Sequence, residues 1–263
     1  MSNLIHQLSR LIPSTLRDIL ALKRWGEPHE KDFKLFARLN RINGLLVDIG
    51  ANWGQSAQSI FKVNQSLKVL SLEPNTHMGW YLFLMFLQHP FRFRYKLAGI
   101  GDMNDTITLN IPQTKRRDLS TNASFEPGEF EKGYVQDRLR EYSAENQGEY
   151  SFQRRKAKVI TLDSLALAPL VIKIDVEGWE IKALMGMENT LKKYHPLLMI
   201  ELNNQEAIFP WLEERGYQFY RYIEETQRLE PIDIYAGCLN AFCLHPETPA
   251  ALHECLAPMS SAE

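Results

Sequence analysis

The sequence predicts an open α/β sheet, mostly parallel, with helices on both faces. Three observations carry this. Its strand-like runs, "GLLVDIG" (44–50), "KVLSLEP" (68–74), "PLVIKIDVEG" (169–178) and "PLLMIELN" (196–203), are continuously apolar, as strands buried on both faces are. Helix-spaced segments alternate with them, the pattern of parallel strands joined by crossover helices. The residues ending the strands are glycines and carboxylates, where open sheets of this kind bind ligands.

Taken in order, residues 1–40 read as a helical extension, with Leu4, Ile5, Leu8, Leu11 and Ile12, then Leu16, Ile19 and Leu20, at helical spacing and Pro13 between them. Its Arg10, Arg17, Lys23 and Arg24 allow a membrane-surface helix, although a cap on the main domain is the favoured reading. The main domain is expected over 41–246. "NWGQSAQSIFKVN" and "THMGWYLFLMFLQH" read as helices, "FRFRYKLAGI" (91–100) as a third strand and "DTITLNIP" (105–112) as an added one. "EIKALMGMENTLKKY" and "EAIFPWLEERG" are helices, and "YQFYRYIEE" and "GCLNAFCLH" two closing strands, giving an antiparallel C-terminal end. Residues 113–157 are polar, with basic clusters at both ends, and read as an inserted lid without a core element. Residues 247–263 read as a tail.

The 263 residues are 44% hydrophobic and 24% charged, enough apolar material for one sizeable core. A net charge of −2 gives no global attraction to nucleic acid or anionic membrane. Cys238, Cys243 and Cys255 lack zinc-type spacing, and an odd count argues against a disulfide framework. With no signal-like start and no apolar run of spanning length, a cytoplasmic location is expected.

Five strand ends invite inspection: Asp48–Gly54, Glu73–Asn75, Gly99–Asp102, Asp175–Gly178 and Glu201–Asn203. In "VDIGANWGQS", Gly50 and Gly54 would let a ligand approach the backbone at a helix N-terminus. The spacing is not that of the dinucleotide fingerprint, which counts against an NAD-dependent oxidoreductase. Glu73 lies 23 residues after Gly50, where a carboxylate grips a ribose diol. Trp53 and Trp179 adjoin the two turns, and Glu180 enters a helix first turn, where negative charge favours the dipole.

"VDIGANWGQSAQSIF", "LSLEPN", "VITLDSL" and "LVIKIDVEGWEIKALMGMENTLKKYHPLLMIEL" together resemble the FkbM family of S-adenosylmethionine-dependent methyltransferases, from Val47 to Leu202. The resemblance implies a class I methyltransferase (Rossmann-like) fold, with seven strands and one antiparallel strand at the C-terminal end. It also implies O-methylation of a sugar or related hydroxyl on a polysaccharide, glycolipid or natural product. Carried onto this chain, Asp48, Gly50, Ala51, Asn52 and Gly54 would hold the methionine end of S-adenosyl-L-methionine. Glu73 would take the ribose, Asn75 would lie beside it, and Asp102 would contact adenine. "STNASF" (120–125) resembles a further Asn/Ser motif of the family. Asp175 is the first candidate base for the acceptor hydroxyl and Glu201 the second, with Glu177 beside them. Asp175, Glu177, Glu201 and Asn203 are all oxygen donors that suit Mg²⁺ or Ca²⁺, an ion this reading allows without requiring. The expected partner is a hydroxylated, sugar-containing small molecule. No basic face or aromatic platform points to nucleic acid. The rival from another class is a catalytically silent scaffold on the same fold.

Overall fold

The structure, a computed structural model, describes residues 27–113, 119, 122–142, 150–232 and 238–256. The helices expected before residue 27 lie outside the described residues. Lys31–Leu39 forms a 3-10 helix that seats Phe33, Leu35, Phe36 and Leu39 against one face of the sheet.

The main sheet has eight strands: β1 (Leu45–Ile49), β2 (Lys68–Leu72), β3 (Phe93–Lys96), β7 (Val171–Ile174), β8 (Leu197–Glu201), β9 (Gln218–Ile223), β10 (Arg228–Pro231) and β11 (Asn240–Leu244). Their order is β10-β9-β11-β8-β7-β1-β2-β3. From β3 to β8 all neighbours are parallel, while β11 runs antiparallel to both β8 and β9. The chain builds outward from β1 to β3, then returns beside β1 with β7, so strand order reverses between these two. Helices α1 (Gln55–Val63) and α2 (Gly79–Gln88) follow β1 and β2. Helices α4 (Glu180–Met185), α5 (Glu188–Tyr194) and α6 (Gln205–Glu213) belong to the return half. Two large apolar clusters result, one containing Leu46, Val69, Met199 and Phe242, the other Val47, Leu72, Ile172 and Ile200. Alternate residues of each strand thus feed both, which is why the runs are continuously apolar.

Four expectations are corrected. The sheet has eight strands rather than seven, because "YQFYRYIEE" continues into a hairpin with Arg228–Pro231. "FRFRYKLAGI" is not one strand: it breaks after β3, and β4 (Gly99–Ile100) joins a second sheet of order β4-β6-β5. That sheet pairs β5 (Asp105–Gln113) along its whole length with β6 (Ser151–Ile160), so the polar insertion is partly strand. Its "RRKAKV" alternates, with Ala157 and Val159 buried and Lys156 and Lys158 exposed, since only one face is covered. Between the strands, a 3-10 turn at Pro127–Glu131 and α3 (Gly133–Tyr142) enclose a small core of Leu119, Phe130, Val135 and Leu139. Lastly, α7 (Ala250–Leu256) replaces part of the expected tail, because Leu252 and Leu256, four apart, fill one cluster. Cys238, Cys243 and Cys255 are free thiols. No described helix is long and apolar enough to cross a membrane.

A Cβ at Gly186 would meet the Gly101 carbonyl oxygen at 1.8 Å, whereas one at Gly128 would meet nothing within 4 Å. Urea unfolding should find Gly186→Ala destabilised by about 1–3 kcal/mol through overpacking, with Gly128→Ala close to the parent.

Candidate active site

Because β1 and β7 are neighbours, the turns leaving them meet. Asp175 N–H donates to Ile49 O at 3.0 Å, and Gly50 and Ala51 N–H both donate to Leu72 O. Gly50 has φ 85°, and a Cβ there would fall 1.7 Å from Asp175 O. No other residue lets the turns approach so closely. Gly54, also at positive φ, has Met85 and Leu82 where its side chain would be. Its bare Cα admits the packing of α2.

One pocket opens over these turns. Asn52 and Gln55 line it from the first turn and α1, Glu73 and Pro74 from the end of β2, and Gly99 and Ile100 from β4. Leu109, Ala123 and Phe125 come from the second sheet and its insertion, and Asp175, Val176, Glu177, Trp179 and Glu201 from the return half. Of the residues singled out in the sequence, Gly50, Asn52, Glu73, Asp175, Glu177 and Glu201 line the pocket. Asp48, Ala51, Gly54, Asn75 and Asp102 are not among its lining residues. Asp48 is fully buried within the sheet, its Oδ2 accepting from Ser71 Oγ at 2.8 Å. Asp102 sits half-buried after β4. Asn75 acts from behind: its N–H donates to Glu73 Oε1, and its Oδ1 accepts from His77 N–H. Trp53 is buried, while Trp179 packs its ring 5.2 Å from Phe125.

The largest omission of the sequence reading is Lys173. It is 2% exposed, stands opposite Asp48 in register, and donates from Nζ to Asp175 Oδ2 at 2.7 Å. Burial opposes its charge, but Asp175 and Asp48 outweigh burial and raise its pKa above the ordinary lysine value. Asp175 is the mirror case. Burial alone would raise it, and the Lys173 ammonium with a hydrogen bond from Glu201 holds it below the usual carboxylate range. Glu201 is pushed well up, by burial first and by the Asp175 charge second. One proton therefore belongs to this pair, carried by Glu201. Burial similarly raises Asp48.

Glu73 is buried and pushed up to about 7, burial prevailing over the N–H donors of Asn75 and Asn52. Each of its oxygens accepts one of these bonds at 2.7 Å, which leaves further lone pairs on both. Gln55 Oε1 is buried without a hydrogen-bond partner among the described residues. An acceptor orphaned against a pocket wall is a place for a ligand donor. Glu180, given to the helix dipole, does more: buried to 1%, it accepts from Gly178 N–H at 3.1 Å and Asn203 Nδ2 at 3.2 Å. It fixes the Asp175–Gly178 turn from below. The insertion also reaches in, since Ser124 Oγ donates to Glu177 O at 2.6 Å. Oxygen atoms of Asp175, Glu177 and Glu201 lie within 4.8 Å of one another.

A parallel sheet closed by an antiparallel strand, with its pocket at the strand-order reversal, defines a class I methyltransferase fold. The sequence profile of the FkbM methyltransferase domain matches residues 48–219, and the chain belongs to that family of S-adenosylmethionine-dependent methyltransferases. No curated protein matches the chain. Among solved structures, an FkbM methyltransferase from Methylobacillus flagellatus KT is similar at 15% identity and TM-score 0.49, over 87% of this chain and 59% of that one. A putative caffeoyl-CoA O-methyltransferase from Staphylococcus aureus is similar at 14% identity and TM-score 0.44, over 93% and 98%. An rRNA methylase from Streptococcus thermophilus is similar at 9% identity and TM-score 0.39, over 82% and 94%. This chain thus spans about three-fifths of the Methylobacillus protein's length.

Replacing Lys173 by Met leaves Asp175 and Asp48 facing each other without a cation. Urea unfolding should show a loss of about 3–5 kcal/mol, as for other broken buried pairs, and Lys173→Met/Asp175→Asn should recover part of it.

Proposed function

We propose that this chain transfers a methyl group from S-adenosylmethionine to a hydroxyl of a saccharide, glycolipid or glycosylated natural product. The observation that carries the reading is that Glu73, the orphaned Gln55 Oε1 and the Asp175–Glu177–Glu201 carboxylates share one pocket. The first two fit the cofactor. The free lone pairs of Glu73 suit the two ribose hydroxyls, and Gln55 Oε1, with Asn52 beside it, suits the methionine ammonium. The apolar wall of Ile100, Leu109 and Phe125 suits the adenine ring. Asp48, Ala51, Gly54, Asn75 and Asp102, which the family resemblance drew into this site, act in this proposal only by supporting it or not at all.

Bound here, the cofactor supplies a methyl group with its own leaving group, so the protein must chiefly align the acceptor and take its proton. Asp175, held anionic at low proton affinity by Lys173, is a poor base and a good orienting acceptor. Glu201, once its own proton has left, has the affinity to take the hydroxyl proton. The ranking from the sequence is thereby reversed, with Glu201 as base and Asp175 as its positioning partner. Trp179 offers a flat apolar face to a sugar ring. The close convergence of three carboxylates favours a second reading of the same cluster. A hard divalent cation would fit its oxygens, displace the Glu201 proton and polarise the acceptor hydroxyl.

Calorimetry with S-adenosylmethionine and S-adenosylhomocysteine, with NAD as control, tests the cofactor assignment. Glu73→Ala should weaken binding at least ~tenfold, as expected when a charged hydrogen-bond acceptor is lost; absence of binding by the folded parent would end the proposal. Ribose donors favour the ionised form of Glu73, whose free pKa is about 7. Binding below that pH should therefore release a proton, and affinity should fall as pH drops further, read in two buffers of different ionisation enthalpy.

Once an acceptor is in hand, Glu201→Gln should cut turnover by about 10²-fold or more while cofactor affinity stays unchanged. Parent turnover should rise with pH as Glu201 loses its proton. If Mg²⁺ titration releases a proton from the parent but not from Glu201→Gln, and chelation abolishes turnover, the second reading prevails.

A further inference from the structure

Helix α2 is apolar on both of its faces. Leu82 and Met85 pack inward, but Trp80 is 62% exposed, Phe83 37% and Leu87 56%, and Phe91 in the next turn is 88% exposed. Trp80 and Phe83 have ring centroids 5.8 Å apart, and Phe83 stacks on Phe86 at 6.5 Å. The guanidinium of Arg94 lies 5.2 Å from the Phe86 ring centroid. The exposed side chains thus form one stripe ending in a cation, rather than scattered apolar residues of the kind any surface shows.

Charge selects the occupant. The chain carries 32 acidic residues, yet none falls between Pro74 and Gly101, where Arg92, Arg94 and Lys96 stand. Arg94 and Lys96 are exposed on β3, the edge strand beside the stripe. A second copy docking symmetrically on this face would set these cations against themselves. A surface carrying negative charge and offering apolar depth would take both the rings and the cations. We propose that this face docks on an anionic lipid bilayer, with Trp80, Phe83, Leu87 and Phe91 entering the headgroup–acyl boundary and Arg94 and Lys96 at the phosphates. Trp and Phe beside Arg and Lys is the composition of an interfacial anchor. The stripe begins six residues beyond Pro74, which lines the pocket, so a docked chain holds its pocket close to the lipid surface. The site differs from the basic helices expected before residue 27, and it does not depend on the methyltransferase reading.

The test is flotation of the full chain with vesicles of phosphatidylcholine alone, and of phosphatidylcholine with ~30 mol % phosphatidylglycerol. Binding is expected to the anionic vesicles and to weaken with salt. Trp80→Ser/Phe91→Ser should reduce the bound fraction at least ~fivefold, since binding scales with buried apolar area, and Arg94→Glu/Lys96→Glu should remove the preference for anionic lipid. Circular dichroism checks folding, and Phe91→Asp alone replaces the double variant if that fails to fold. No binding to either vesicle overturns the proposal, as does binding that both variants leave unchanged. Sedimentation velocity without lipid supplies the other arm: a dimer dissolved by Trp80→Ser/Phe91→Ser assigns the face to a second copy and overturns the lipid assignment.

Discussion

The pocket edge of the sheet is organised by one buried ammonium. Lys173 lies within β7, almost without solvent, and touches Asp175 while facing Asp48 on the neighbouring strand. Charges placed so deep are tolerated only when opposite charge is immediate. The consequence runs outward along the strand ends. Asp175 is held ionised, and its charge together with burial raises the proton affinity of Glu201 beside it. Strand register does the placing, because Asp48, Lys173 and Met199 stand side by side across β1, β7 and β8. The polar residues therefore share the face on which Glu201 also emerges.

The second constraint is closeness of backbone. Gly50 against Asp175 and Gly186 against Gly101 are contacts into which no Cβ fits. They bring turns from different parts of the chain within hydrogen-bonding reach and leave the side chains of Glu73, Gln55 and Glu201 to face one volume. Side chains held by such contacts keep their geometry at low entropic cost.

The parallel core was legible in the sequence because strands covered on both faces must be apolar throughout, and "LLVDI", "KVLSL", "LVIKI" and "LLMIE" are nearly so. The same rule concealed Lys173: one lysine in such a run looks like a lapse until the strand alongside supplies Asp48. The second sheet's strand β6 was missed since its outer face is wet, and its buried Ala157 and Val159 alternate with basic residues. The carboxylates at the strand ends were visible, but their division of labour was not, because proton affinity depends on neighbours distant in sequence. Ser124 meets Glu177 across 53 residues, and Phe125 meets Trp179 across a similar interval. No local spacing records such contacts.

The position of β11 has a bearing on how the molecule is made. It lies between β8 and β9 although it follows both in the chain. As synthesis proceeds, β9 and β10 emerge as a hairpin with no place in the sheet, and β8 presents an unpaired edge until Asn240–Leu244 arrives. An exposed edge of that kind invites pairing with other chains. The strand that joins the two parts is synthesised after both, so the nascent protein carries this risk of misassembly until β11 emerges. Any shortening of the chain that removes β11 would add two open edges, on β8 and β9, to those at β10 and β3.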